Sequence, residues 1–154
     1  MSIEKDPAVA IDTLIKKFLD THRFLRPCRI QKLIYLAELM YVEKHEKRLT
    51  NAQYEPYMYG VYSETIDYTI SDLIKEDQSI SSKNTYRSRR IARKSSSNIK
   101  LDNELKELVK VVTDLTRHMN NYQLADWSKS TYLFNETRYD SVINLNSYVD
   151  AINN

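Results

Sequence analysis

The fold expected from the sequence is α+β and mainly α-helical: about five or six helices packed around one core, with a small antiparallel β-sheet or hairpin. Three observations lead there. Apolar residues recur at helical spacing along most of the chain, glycine occurs once and proline three times in 154 residues, and only two stretches, 49–62 and 75–98, lose the helical period. So few chain breakers suit helices better than a turn-rich β-fold. The length corresponds to one domain, 1–154, that can bury roughly 68–70% of the surface its unfolded chain exposes, so neither a metal nor a disulfide is needed as a staple.

In chain order, Asp6 can cap a helix that begins at Pro7, where the missing N–H costs nothing. Ala10, Ile11, Leu14, Ile15, Phe18 and Leu19 form its apolar stripe. Pro27 opens a second helix with Ile30, Leu33, Ile34, Ala37, Met40 and Tyr41 turned inward and Arg29, Lys32, Glu43 and Lys47 on the other side. Over 49–62, Tyr54, Tyr57, Tyr59 and Tyr62 cluster around Pro56 and Gly60, which suits a short strand and a turn. Ser63 is placed to cap a third helix carrying Ile66, Ile70, Leu73 and Ile74. Residues 75–98 read as a ragged β-hairpin anchored by Ile80, Tyr86 and Ile91, with a basic tip. Asp102 caps a fourth helix, bearing Leu105, Leu108, Val109, Val112, Leu115 and Met119, that ends at Asn120 and Asn121. A short helix at 123–130 carries Leu124 and Trp127, and a last one near 141–152 presents Val142, Leu145, Val149 and Ile152.

Composition narrows the function. With 42% hydrophobic and 29% charged residues the chain is ordinarily globular. Its net charge of +2 requires no polyanionic partner, so a nucleic-acid role would need a local patch. The single cysteine, Cys28, forms no internal disulfide, residues 1–12 lack the apolar run of a signal peptide, and nowhere do about 18 apolar residues follow one another. A cytoplasmic protein is expected. His22, His45 and His118 stand apart from one another, so no metal set is expected, and no phosphate loop, nucleophile elbow or zinc-protease motif occurs. The sequence nominates no cofactor and no catalytic residue. Cys28 follows Pro27 in a first helical turn, but without a base held by a third group it reads as an inert, buried or half-buried thiol.

Three segments carry a resemblance. Ile30, Gln31, Lys32, Leu33, Ile34, Tyr35, Leu36 and Ala37 resemble the "LQKLLYxA" helix of the Panacea antitoxin-domain family. Tyr54, Glu55, Pro56, Tyr57, Met58, Tyr59 and Gly60, followed by Ser63, are similar to its "fEAWxYGPV" segment, with Tyr57 in place of the family's Trp and Val61 in place of its Pro. Tyr122, Gln123, Leu124, Ala125, Asp126, Trp127 and Ser128 resemble the family's ending, without the His and Pro-Trp that close it there. The resemblance implies a mainly helical domain with a small antiparallel sheet. Its implied role is a protein-binding module, the antitoxin of a toxin–antitoxin pair, neutralising a toxin encoded by a neighbouring gene by direct binding or as a proteolytic adaptor.

Candidate residues follow from both readings. Gln31 and Lys32 on the second helix either meet a partner or are, respectively, bonded to a nearby loop backbone and solvated. Tyr54 and Tyr62 are candidates for a docking surface, whereas Tyr57 and Tyr59, sharing a strand face by the period of two, are favoured as a core seam. Leu33, Tyr35, Gly60 and Trp127 read as structural, with Gly60 supplying a positive φ. Arg87, Arg89, Arg90 and Arg93 form the dense basic cluster. It is open to three readings: a solvated tip, a match for an acidic protein surface, or a small nucleic-acid-binding regulator as the alternative to the antitoxin.

Overall fold

The computed structural model describes residues 7–85, 89–94 and 99–153, the last three by their backbone alone. Among the described residues there are seven helices, α1 (Ile11–Asp20), α2 (Pro27–His45), α3 (Glu64–Glu76), α4 (Asn103–Thr116), α5 (Asn121–Lys129), α6 (Tyr132–Glu136) and α7 (Leu145–Asn153). Two antiparallel hairpins join them, β1 (Glu55–Tyr57) with β2 (Gly60–Tyr62), and β3 (Ile80–Asn84) with β4 (Arg89–Arg93). The expected mainly helical α+β class holds. No helix among the described residues is long and apolar enough to cross a membrane.

Helix α2 is the axis of the fold. Pro27 occupies its first turn, and α1, α3, α4, α5, α7, β2 and β4 all pack on it. It therefore buries residues on every side: Ile30, Leu33, Ile34, Ala37, Leu39 and Val42, but also Gln31, Lys32, Tyr35 and Glu38. Each large apolar side chain removed from water in this way contributes about 1.5–3 kcal/mol. The polar ones cost stability unless they find partners. The expectation of a solvated side carrying Arg29 and Lys32 is corrected on this account: Lys32 is buried, and half-buried Arg29 donates to Thr116 O (2.7 Å), Met119 O (2.8 Å) and Asn121 Oδ1 (3.0 Å). Those bonds answer carbonyls at the end of α4, where a cation also meets the negative pole of the helix.

Other boundaries follow local chemistry. The Ser63 hydroxyl accepts from Ile66 N and the Asp102 carboxylate from Leu105 N, so α3 and α4 start at the expected caps. Asn120 does not close α4; it forms a capping box with Gln123 and starts α5. The first helix begins at Ile11 rather than Pro7, because the chain bends at Ala8 and Val9, where the Val9 N–H donates to Leu49 O (3.0 Å), and Ala10 is extended, while Asp6 lies outside the described residues. Helix α6 was not expected, and α7 starts at Leu145 rather than near 141. Ile80 and Ile91 are the buried anchors of the second hairpin, and Leu25 bridges Ile91 from the other edge. Cys28, expected buried or half-buried, is exposed on the second residue of α2.

The fully buried Glu38 carboxylate gathers the loop after α2. Leu49 N, Thr50 N, the Thr50 hydroxyl (2.6 Å) and the Tyr54 hydroxyl (2.9 Å) donate to it, and Arg48 pairs with it at 3.3 Å. Tyr54 is consequently a core residue, and its placement on a docking surface is corrected. Burial, then the neighbouring Glu38 charge, push the Tyr54 phenol well above its ordinary value. Replacing Glu38 by Ala orphans these donors and leaves the Arg48 charge uncompensated, so Glu38→Ala is expected to lower unfolding free energy by about 3–5 kcal/mol in urea titrations. A loss within about 0.5 kcal/mol, the range of ordinary surface substitutions, would contradict this role.

Candidate functional site

Three separate segments close on Gly60. Its φ of +106° lies where side-chain-bearing residues are strained, and a Cβ there would collide with Ser128 Oγ and stand 3.1 Å from Lys32 Cε and 3.2 Å from Ala125 O. Both the backbone angle and the close approach require glycine. Beside it, Val61 N donates to Ser128 Oγ (3.1 Å), which in turn donates to Ala125 O (2.7 Å). Two residues on, Gln31 completes a two-way bridge, its Nε2 donating to Ser63 O (2.9 Å) and its Oε1 accepting from Ser63 N (2.8 Å). Helix α2, hairpin β1–β2 and helix α5 are thus pinned together through two side chains and one missing side chain.

Aromatic packing backs this junction. The Tyr35 ring lies 5.3 Å from that of Tyr54 and 5.9 Å from that of Trp127, and its hydroxyl is 2.8 Å from Thr131 Oγ1. Burial pushes the Tyr35 phenol up to about 12. Leu33 is fully buried on α2, and Trp127 is partly buried against the core.

The hairpin tip does the opposite of what was expected. In the register Pro56 pairs with Val61 and Tyr57 with Gly60, which leaves Met58 and Tyr59 as the turn. Pro56 and Val61 therefore fill the inner face, and Tyr57 (45% exposed), Met58 (70%) and Tyr59 (78%) face solvent. The core seam assigned to Tyr57 and Tyr59 is corrected: Tyr59 is not on a strand, and the inward face belongs to the alternate positions. Lys129 Nζ donates to Met58 O (3.1 Å) and ties the tip to α5. Tyr122, 80% exposed, is two turns earlier on the same face of α5 as Lys129. Tyr62 is half-buried, its hydroxyl donating to Asp67 Oδ2 (2.8 Å) and its ring edge-on to Tyr57 at 5.0 Å. Burial and the Asp67 bond raise its phenol above the ordinary value.

The remaining candidates scatter. Gln31 is buried and spends both amide atoms on Ser63, which removes it from any docking surface. Arg93 is turned inward to pair with Asp20 at 2.8 Å, and its side chain is 3% exposed, so it too is withdrawn as a contact residue. Arg90 lies 4.5 Å over the Phe24 ring, Arg89 is exposed, and Arg87 falls outside the described residues. Met58, Tyr122 and Ser128 lie in the segments that carry the resemblance but were given no site role from sequence, although an apolar residue between two tyrosines at a turn was a readable sign for Met58.

Lys32 is 6% exposed, and burial lowers its ammonium from the ordinary lysine value of 10.5. Among the described residues it makes neither a hydrogen bond nor an ion pair.

The molecule is a mainly helical scaffold that holds an apolar hairpin tip clear of its core at the point where three motif-bearing segments meet. Residues 30–132, about two thirds of the chain, match the family model described as antitoxin SocA-like, Panacea domain, and the chain belongs to that family. No curated protein and no solved structure matches it.

Two outcomes are expected of this junction. Gly60→Ala forces the strained angle and the contact with Ser128 Oγ, costing about 2 kcal/mol and lowering Tm by roughly 4–8 °C. An unchanged melting curve would contradict the geometry. For Lys32, the unfolded chain holds the proton up to a higher pH than the fold does. Stability therefore rises with pH between the folded value and 10.5, and the full cost of the buried charge is present below that window. Lys32→Met removes that cost: Tm near neutral pH should rise by roughly 2–4 °C, and the alkaline rise should flatten. A lower Tm would contradict an unpaired ammonium.

Proposed function

We propose that the protein is the antitoxin of a toxin–antitoxin pair and silences its toxin by direct binding, through the β1–β2 tip and the adjoining face of α5. The observation that carries this reading is the exposure of Tyr57, Met58, Tyr59 and Tyr122 around a rigid junction built from the segments that bear the family resemblance. Tyrosine and methionine are enriched at the centres of protein interfaces, and large apolar side chains held in water by a stable fold are positioned for a partner rather than for the core. Tyr62 lies at the edge of this surface, half-covered by Tyr57. Arg89 and Arg90 offer charge at the second hairpin, where they would act mainly on encounter rate and choice of partner. A nucleic-acid role for that hairpin draws less support, since Arg93 is committed to Asp20 and Arg90 to Phe24.

Co-expression with the product of the adjacent gene tests the reading: that product should be lethal alone and harmless beside this protein. Tyr59→Ser and Tyr122→Ser should each weaken the complex about tenfold to a hundredfold while leaving Tm unchanged. A toxin that stays lethal in the presence of the wild-type chain would end the antitoxin reading. If neutralisation proceeds by handing the toxin to a protease, the toxin's half-life shortens when this protein is made; an unchanged half-life with full protection assigns simple occlusion.

A further inference from the structure

Every other buried polar side chain of α2 is answered from within the chain, Gln31 by Ser63 and Glu38 by Arg48, Thr50 and Tyr54. Lys32 is not: nine-tenths buried, its ammonium has no hydrogen bond and no counterion among the described residues. Its stem is buried while its unpaired ammonium reaches water, so an anion joining it there would find no counterion already in place. Its surroundings are built rather than open. Its Cε packs against the face of Gly60 that no side chain could occupy, and exposed Cys28 lies one turn earlier on the same face of α2. The exposed Met58-Tyr59 turn immediately precedes that glycine.

We propose that Lys32 is the receptor for a single carboxylate, delivered by an acidic side chain of the protein partner that docks on the β1–β2 tip. One uncompensated positive charge matches one negative charge, whereas a phosphate dianion would bring a second charge with nothing to balance it. Capture of a chain's terminal carboxylate relies on convergent backbone N–H groups, and the nearby Val61 N–H is already donated to Ser128 Oγ. An aspartate or glutamate side chain reaching past the tip is the source that remains. That source rests on the partner-binding reading above, but the carboxylate site does not.

The test uses the full chain isotope-labelled at lysine Cε, titrated near neutral pH and constant ionic strength with propionate, which mimics the glutamate side chain. N-acetylglycine, a mimic of a terminal carboxylate, and inorganic phosphate serve as separate arms. The Lys32 resonance is the one missing from Lys32→Met, or from Lys32→Arg should the first variant not fold. With propionate it should shift to saturation with a midpoint on the order of 10 mM, while exposed Lys106 and Lys110 drift without saturating. A Lys32 response no different from theirs would overturn the site. Tighter binding of N-acetylglycine or of phosphate would overturn the assignment to an acidic side chain. Saturation by propionate in a protein that fails to protect cells from the toxin would uphold the site and reject the partner reading alone.

Discussion

A helix buried on all sides constrains everything else in this protein. Helix α2 contacts most other elements, so its buried Gln31 and Glu38 and half-buried Arg29 are answered by what packs against them, while Lys32 is left without a partner among the described residues. Glu38 fixes the loop that follows the helix, Arg29 closes the end of α4, and Gln31 locks the start of α3. The polar groups of one helix thereby set the positions of three distant segments, which apolar packing alone, being non-directional, would leave free to slide.

The same constraint explains how an apolar surface stays exposed without collapsing. Hairpin β1–β2 has only three residues in each strand, and an isolated hairpin of that size is marginal in water. Here it is held at its base by Ser128 and at its tip by Lys129, both from α5. Gly60 lets the two elements approach closely enough for those bonds to form. A tip fixed in this manner loses little further conformational freedom when a partner covers it, and preorganisation of that kind converts more of the contact energy into affinity.

Much of the fold was legible because its signals are local. Pro27, Ser63 and Asp102 mark helix starts through chemistry confined to one turn, and the apolar periods of α1 and α3 name their buried faces directly, whereas α4 buries Leu105, Val109 and Val112 but leaves Leu115, expected on the same face, exposed. The site was less legible for a definite reason: it is decided by register and by long-range bonds. Whether Tyr57 or Pro56 faces inward depends on a two-residue turn at Met58 and Tyr59, which a run of tyrosines does not specify. Tyr54 is internal because Glu38, sixteen positions earlier, receives its hydroxyl. Lys32 and Glu38 look like solvent-facing charges on a helix until the fold surrounds them; a charge at Glu38 one turn from Ile34, Tyr35 and Val42, on an otherwise apolar face, was the one local hint. Family resemblance located the segments that meet at Gly60, but not which of their side chains the meeting would cover.

The measurement that most directly tests the account is a hydrogen-exchange footprint of the intact chain, free and bound to the co-expressed toxin. If the β1–β2 tip and α5 form the recognition face, added protection will concentrate in residues 57–62 and 121–129, with β3, β4 and the outer side of α3 unchanged. Protection confined to the β3–β4 hairpin, with exchange at the tip and along α5 as fast as in the free protein, would contradict it.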